Sequence, residues 1–546
     1  MNQHSDTDRQ LRDLAERFRS ARISRRALIQ QAGLLIGGSA LASFLAAVSP
    51  SAAAAAAPAA QPKKGGSLKV GIFGEAPSLD PQFSTATITR NLSSHLFEGL
   101  FCTDLQFRPK LDLAETYEMS KDGKTATFTL RKGVNFHNGK EMTSADVVAS
   151  LRRFGSFATR GKPIGARLEE MKAKDKYTVV MTFKQPSGRL PLFLAHQEEI
   201  IMPEEIANKY MKEQLKEFIG TGPFKFVERQ PDRFTKFARF ENYTARPGAP
   251  DGWVGKKTVY FDELLFIPVP EDSVRADGVI TGEYHFGELL NPDSYDSLKS
   301  NPAVDAYIVK PYYWSAVHLN KKQGLFTDVR MRKALKAAID LEPGWRAAWG
   351  KPEFWRLQPA MGSPETAWYT EVTKGEYNKK DPAQARALLK EAGYKGETIR
   401  WLTTKEYSYN YAFALATKPQ MEAVGMKVEL DLVDWATLIQ RRAKPELWDI
   451  FVTGHDTPVH PLLQPFMNPG WPGWWDTPEK TKIYDALFAE PDDKKAQALV
   501  DDMERLVMKE VPYIKIGEYF VLRAARKELK GYVNPVHFFF WDCWLA

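Results

Sequence analysis

The densest chemistry in the chain lies between residues 448 and 476. Trp448-Asp449-Ile450-Phe451-Val452 reads as a strand that ends at Thr453-Gly454-His455-Asp456. A carboxylate placed just after a strand, as Asp456 is, can hold a cationic group, and the pairing strengthens where water is excluded. The alternative is a loop aspartate that accepts backbone N–H groups. His455 and His460 stand five apart in a loop that contains Pro458 and Pro461. Neither a cysteine nor a third histidine is close in sequence, so no metal is expected, and nothing asks for a cofactor. Gly470-Trp471-Pro472-Gly473-Trp474-Trp475 puts three tryptophans within five residues. Broken by Pro and Gly, they cannot share one regular face. Either some of them line a cleft and stack on a ligand or cation, or the loop folds down onto its own domain.

Several elements must position these groups. Gly425 to Leu430 reads as a strand, and Val433-Asp434-Trp435 opens a helix that reaches Arg441 and Arg442. Trp435 is either a pocket wall or a core aromatic; Arg442 is either a site cation or a solvated helix residue. Earlier, Leu113–Phe154 contains an Asp122-Gly123 turn, an alternating strand from Thr125 to Leu130, an Asn138-Gly139 turn and a helix start. Thr143 is the expected N-cap, and Asp146 puts an anion at the positive end of the helix dipole. Gly220-Thr221-Gly222-Pro223-Phe224 reads as a turn in which the glycines allow unusual φ and Pro223 fixes the exit into a strand. Val317-His318-Leu319-Asn320 is extended, and the amphipathic helix after it offers Val329, Leu335 and Ile339 to a core. Asp381-Pro382 starts another helix, with Asp as cap and Pro at the first position, and Gly393 ends it.

The chain has 546 residues, too many for one core, so two or three domains are expected. Hydrophobic residues make up 43% and charged residues 26%, as in ordinary globular proteins. Aromatics reach 12%, which hints at recognition surfaces. The first 60 residues hold seven Arg and four Asp or Glu, a surplus of three, so of the formal +7 only about +4 falls on the rest. With no basic block there, nucleic-acid binding is not indicated. Cys102 and Cys543 either form one long-range disulfide or stay as two buried thiols. No CxxC, HExxH, Walker A or GxSxG motif occurs, which weakens an enzymatic reading.

Residues 1–60 read as an export signal. Ser24-Arg25-Arg26-Ala27-Leu28 resembles the twin-arginine motif, and a moderately apolar stretch, Leu34 to Val48, leads into an alanine-rich run with many A-x-A cleavage options. Gly37, Gly38, Ser39 and Ser43 make that stretch a poor permanent anchor.

The wording of Leu113–Phe154 closely resembles the signature of the family 5 solute-binding proteins of ABC importers, the peptide-, nickel- and opine-binding group. So do Glu75–Pro81, Leu96–Leu100, Gly220–Phe224, Phe326–Asp340, Ala387–Tyr394 and Val511–Ile514. The resemblance implies an α/β, bilobal periplasmic-binding-protein fold of class II, in its large three-domain variant, with a hinge between lobes. Domain I would comprise 61–105, 220–316 and 512–546, domain II would be inserted at 106–219, and domain III would span 317–511. It further implies that Thr85, Ala86 and Thr87 offer backbone groups to an extended ligand. Asp456 would receive a ligand ammonium, with Trp435, Arg442, Gly454, His455, Trp471 and Trp474 around it. Some peptide-binding relatives carry an arginine just before the aspartate's loop. Here that region is Ile450-Phe451-Val452, which lowers the expectation of a free di- or tripeptide and raises opine-like, amine-bearing or aromatic ligands. The implied protein is an exported periplasmic monomer. It binds a small peptide or peptide-like solute and hands it to a membrane permease served by a separate ATPase. An exported hydrolase working in the same cleft, and a periplasmic chaperone or sensor partner, are the alternatives.

Overall fold

In the computed structural model, two long strands, Val304–Leu319 and Tyr513–Arg526, run side by side through the middle of an eleven-stranded sheet. The structure describes residues 61–456 and 460–546, together with positions 11, 13, 14, 31 and 32. The chain divides into two units, Met1–Gln61 and Pro62–Ala546. The export-signal expectation falls almost wholly outside the described residues. Among those described, no helix is long and apolar enough to cross a membrane.

Each long strand serves two neighbourhoods. Val304–Val309 pairs with Val521–Arg526, next to Phe286–Leu290. From there the sheet continues through Ser67–Ile72, Glu263–Pro268, Phe234–Arg239 and Phe224–Gln230. Tyr313–His318 pairs with Tyr513–Tyr519, and Tyr313–Leu319 pairs on its other edge with Ile450–Asp456. That side ends with Thr398–Thr403 and Lys427–Leu432. The register shifts between Val309 and Tyr313, where Pro311 has no N–H to give. The two sides bury separate cores. One gathers Leu68, Val70, Phe266 and Phe286, and the C-terminal Phe538 and Phe540 pack into it. The other gathers Leu335, Trp345, Trp401 and Ile450. Phe539 and Trp541 stack at 4.2 Å over Trp253 and Cys102.

A four-stranded antiparallel sheet, in the order Ala114–Met119, Thr125–Leu130, Thr178–Phe183, Leu168–Asp175, forms a further layer. The helix Ser144–Phe157 begins as its sequence predicts: Thr143 N–H donates to Asp146 Oδ2 at 2.8 Å. Asp381 likewise accepts from Gln384 N–H and caps Pro382–Glu391. The Gly220-Thr-Gly turn needs a correction. Neither glycine has positive φ. A Cβ at Gly220 would lie 2.2 Å from the Leu96 carbonyl oxygen, and one at Gly222 2.6 Å from that of His95. Glycine is required by close approach of a neighbouring backbone, not by φ. Both cysteines are buried and free.

Candidate functional site

Thr398–Thr403, Lys427–Leu432 and Ile450–Asp456 are parallel, so their C-terminal ends share one edge of the sheet. In open α/β sheets that edge is where loops open a crevice. The chain leaves it through Tyr407 into Ser408–Glu422, through Asp434 into Trp435–Arg442, and at Asp456.

Strand alternation sorts the last of these. Gly454 and Asp456 share one face. At Gly454 a Cβ would meet the hydroxyls of Tyr519 and Tyr409 at 2.7 and 3.1 Å, so the strand can pass there only without a side chain. His455 points the other way. It is buried, its Nε2 is 2.7 Å from His318 Nε2, and it packs on Trp314, Phe466 and Trp471. The expectation that His455 and Asp456 face one ligand fails because neighbours in a strand cannot share a face.

Asp456 is not a free anion. Arg160 Nη2 donates to its two oxygens at 3.0 and 3.1 Å, and Arg90 Nη1 donates to Oδ2. Arg160 also pairs with Glu198, so two guanidiniums and two carboxylates balance. Burial alone would raise the Asp456 carboxyl; Arg160 and Arg90 overcome it and hold it far below the usual carboxylate range. Burial and the same two cations keep His196 neutral. An ammonium reaching Asp456 would find it already neutralised by two cations. A ligand ammonium, which Asp456 was expected to receive, would compete there with Arg90 and Arg160.

The other expected residues divide. Thr87 opens the helix Thr87–Ser93, and its hydroxyl bonds Tyr313 Oη, which Arg90 Nη2 also reaches at 3.3 Å. Ala86 N–H bonds Ser84 Oγ, and its carbonyl takes the Arg90 N–H, so this peptide is largely committed. Thr85 is exposed. Trp435 is half-buried with its ring 4.7 Å from Tyr407. Arg442 lies 5.9 Å from the Trp435 ring, 5.9 Å from Phe451 and 5.5 Å from Trp471. It has no carboxylate partner among the described residues, and burial brings its pKa down to about 10. The three loop tryptophans part company, as their spacing requires. Trp471 borders a cavity of about 600 Å³ together with Arg160, Pro465 and Tyr484. Trp474 stacks on Trp448, and Trp475 is buried with its Nε1–H on Glu510. His460 is buried against Trp368. Among the described residues no group of three potential metal ligands occurs.

Sequence reasoning missed Arg90, Arg160, Glu198 and Tyr313. Arg90 follows Thr87 by three positions, so one helical face could have offered both. Nothing local ties Arg160 to Asp456, because the two are 296 residues apart.

Comparison with known proteins adds an independent line. Residues 108–474 match the model of "Bacterial extracellular solute-binding proteins, family 5 Middle". The chain is 31% identical over 488 residues to a probable peptide ABC transporter periplasmic-binding protein, y4tO, of Sinorhizobium fredii, covering 85% of this chain and 90% of that protein. It is 27% identical over 484 residues to the glutathione-binding protein GsiB of Pectobacterium atrosepticum, covering 84% and 90%. The structure superposes with a TM-score of 0.75 on the periplasmic binding protein DppA of Helicobacter pylori in complex with the peptide STSA, at 21% identity, covering 89% of this chain and 99% of that one. At that identity the likeness fixes the fold alone: a bilobal α/β periplasmic-binding-protein fold of the class II type.

Proposed function

The chain belongs to the bacterial extracellular solute-binding proteins of family 5, and from that premise we propose that it captures a carboxylate-bearing peptide or peptide-like solute between its lobes. Arg442 carries this reading. A half-buried guanidinium ringed by Trp435, Phe451 and Trp471, with no acid beside it among the described residues, suits an incoming carboxylate. Trp471 and Trp435 would stack on whatever follows that carboxylate. The names of two relatives, a peptide transporter's binding protein and a glutathione-binding protein, are consistent with such a solute. An opine-like acid meets the same requirement.

In this proposal the protein is exported and works in the periplasm as a monomer. It presents the closed, loaded form to an inner-membrane permease with its own ATPase, and it releases the solute chemically unchanged. The domain division at 106–219 and 317–511 belongs to the same proposal, and the four-stranded sheet within 114–183 supports the inserted part. Closure follows from the solute's preference for the closed form, and Asp456, between Arg90 and Arg160, acts as its latch.

Native mass spectrometry of protein isolated from its own periplasm tests the reading. A small carboxylate-bearing solute should co-purify intact and be lost from Arg442→Ala. A solute recovered cleaved, or one retained in full by Arg442→Ala, would refute it.

A further inference from the structure

Behind Asp456 the site has a branch that the reading above does not use. A cavity of about 50 Å³ opens beside Arg90 and Asp456, and Phe107, Pro109, Leu192, Ala195 and Leu463 make its walls mainly apolar. A second cavity, of about 40 Å³, lies against it; the two share Thr103, Ala195, His196, Gln197 and Trp253. Here the lining turns polar, with Glu98, Asp112, Glu199, Lys257 and Cys102. One water needs roughly 10–15 Å³ of such space, so each cavity admits a small group.

The second cavity is short of positive charge. Lys257 Nζ donates to Glu98 at 2.6 Å and to Asp112 at 3.2 Å. Glu98 is further engaged by Tyr243 and Thr221. Glu199, 2% exposed, has no cation among the described residues. Its Oε2 accepts from Leu100 N–H at 2.9 Å, and its Oε1 has no hydrogen-bond partner among the described residues. The backbone is shaped around this side chain: a Cβ at Gly99 would lie 2.0 Å from Glu199 Oε2. Burial pushes the Glu199 carboxyl well above its ordinary range, against the Leu100 N–H, and Asp112 adds to the rise. Burial likewise lifts Asp112 to about 6 in spite of Lys257. Three carboxyl groups line the cavity with one ammonium, while Arg131 acts on Asp112 and Arg246 on Cys102 from outside it, and burial opposes ionisation of the carboxyl left over.

We propose that the two cavities form a subsite for a basic side chain of the solute, with an aliphatic stem along Leu192, Phe107 and Leu463 and a primary ammonium head against Glu199. This rests on the capture of peptide-like solutes proposed above and narrows it to solutes that carry an amine as well as a carboxylate. On binding, the Glu199 carboxyl gives its proton to solvent and pairs with the ammonium, while Asp112, Lys257, Cys102, Tyr243 and His196 keep their protonation.

Calorimetric titration with lysine-containing alanine tripeptides, Lys at each of the three positions, each against its norleucine isostere, tests the assignment. At one position lysine should bind at least about tenfold tighter than norleucine. Glu199→Gln, which keeps an acceptor for Leu100 N–H, should bring that ratio within about twofold. In the wild type, repeating the titration in buffers of different ionisation enthalpy should show release of about one proton for the lysine peptide and none for its isostere. That measurement needs no variant, so a Glu199→Gln protein that fails to fold does not shield the proposal. Tripeptides that bind with no preference for lysine, as they would if water alone fills the branch, overturn this subsite and leave the capture of peptides intact. A preference that survives in folded Glu199→Gln overturns it too. If no tripeptide binds, the capture of small peptides and this subsite fall together.

Discussion

Arg160 reaches across 296 residues of sequence to place one guanidinium nitrogen 3.0 and 3.1 Å from the two oxygens of Asp456. Arg90, 1% exposed, takes the same carboxylate from another side. Asp456→Ala would leave both cations without it, and among the described residues Arg90 makes no ion pair with another carboxylate, Glu198 acting on it only from farther off. The expected cost is on the order of 3–5 kcal/mol in urea unfolding, because the charge left behind is buried. Since the native carboxyl is held low, the wild-type contribution is present above about pH 4 and fades as pH falls below it, toward the folded-state value. The difference between wild type and Asp456→Ala should therefore shrink in acid. A constant difference from pH 7 to pH 3 would count against the latch.

Arg442 should behave in the opposite way. Replacing it with methionine removes a partly desolvated charge that has no carboxylate partner among the described residues, and keeps the stem that packs on Trp471 and Trp435. Unfolding free energy should stay level or rise by about 1 kcal/mol. Affinity for the co-purifying acid should fall by about 2–4 kcal/mol in calorimetry. A variant that loses stability and keeps affinity would make Arg442 a structural residue.

The His318–His455 pair predicts an acid sensitivity of its own. Burial lowers His455 from 6.5 to about 3, although Asp456 opposes it, and burial with His455 keeps His318 low as well. The folded state refuses a proton that the unfolded chain accepts, so stability drops as pH descends from about 6.5 toward 3. Between pH 7 and pH 5, His455 alone should account for roughly 2 kcal/mol. His455→Gln should flatten the urea-unfolding profile over that interval by a similar amount. An unchanged slope would show that His455 titrates normally in the folded protein.

Gly99 gives a steric test. A methyl group there would press on Glu199 Oε2 at 2.0 Å and on the Glu199 carbonyl oxygen at 2.7 Å. Gly99→Ala should cost about 1–3 kcal/mol in urea unfolding, because backbone as well as side chain must shift. Gly133→Ala would be a poor control since its φ is +69°; Gly74→Ala, with nothing within 4 Å, is the suitable one.

These cases show which parts of the molecule a sequence can disclose. The cap at Thr143 and Asp146 was readable because both partners fall within one turn of chain. Asp456 was readable as a strand-end carboxylate, and strand alternation would have separated it from His455 had the alternation been carried one residue further. Its counter-ions were not readable. Arg90 and Arg160 come from other elements, and no periodicity links them to residue 456. The Gly220-Thr-Gly turn was located correctly by residue type, yet its cause, the Leu96 and His95 carbonyls, belongs to a segment more than a hundred positions away. Local chemistry announces itself in the chain; charge balance and close approach are settled by tertiary neighbours.

The two long strands have a mechanical consequence. Because Val304–Leu319 and Tyr513–Arg526 stay paired on both sides of the register shift at Val309–Tyr313, the halves of the protein cannot slide past each other without breaking ladders. The ladder is weakest where Pro311 interrupts the regular exchange of N–H and carbonyl groups. The joint is thus a pair of hydrogen-bonded backbones rather than a flexible tether.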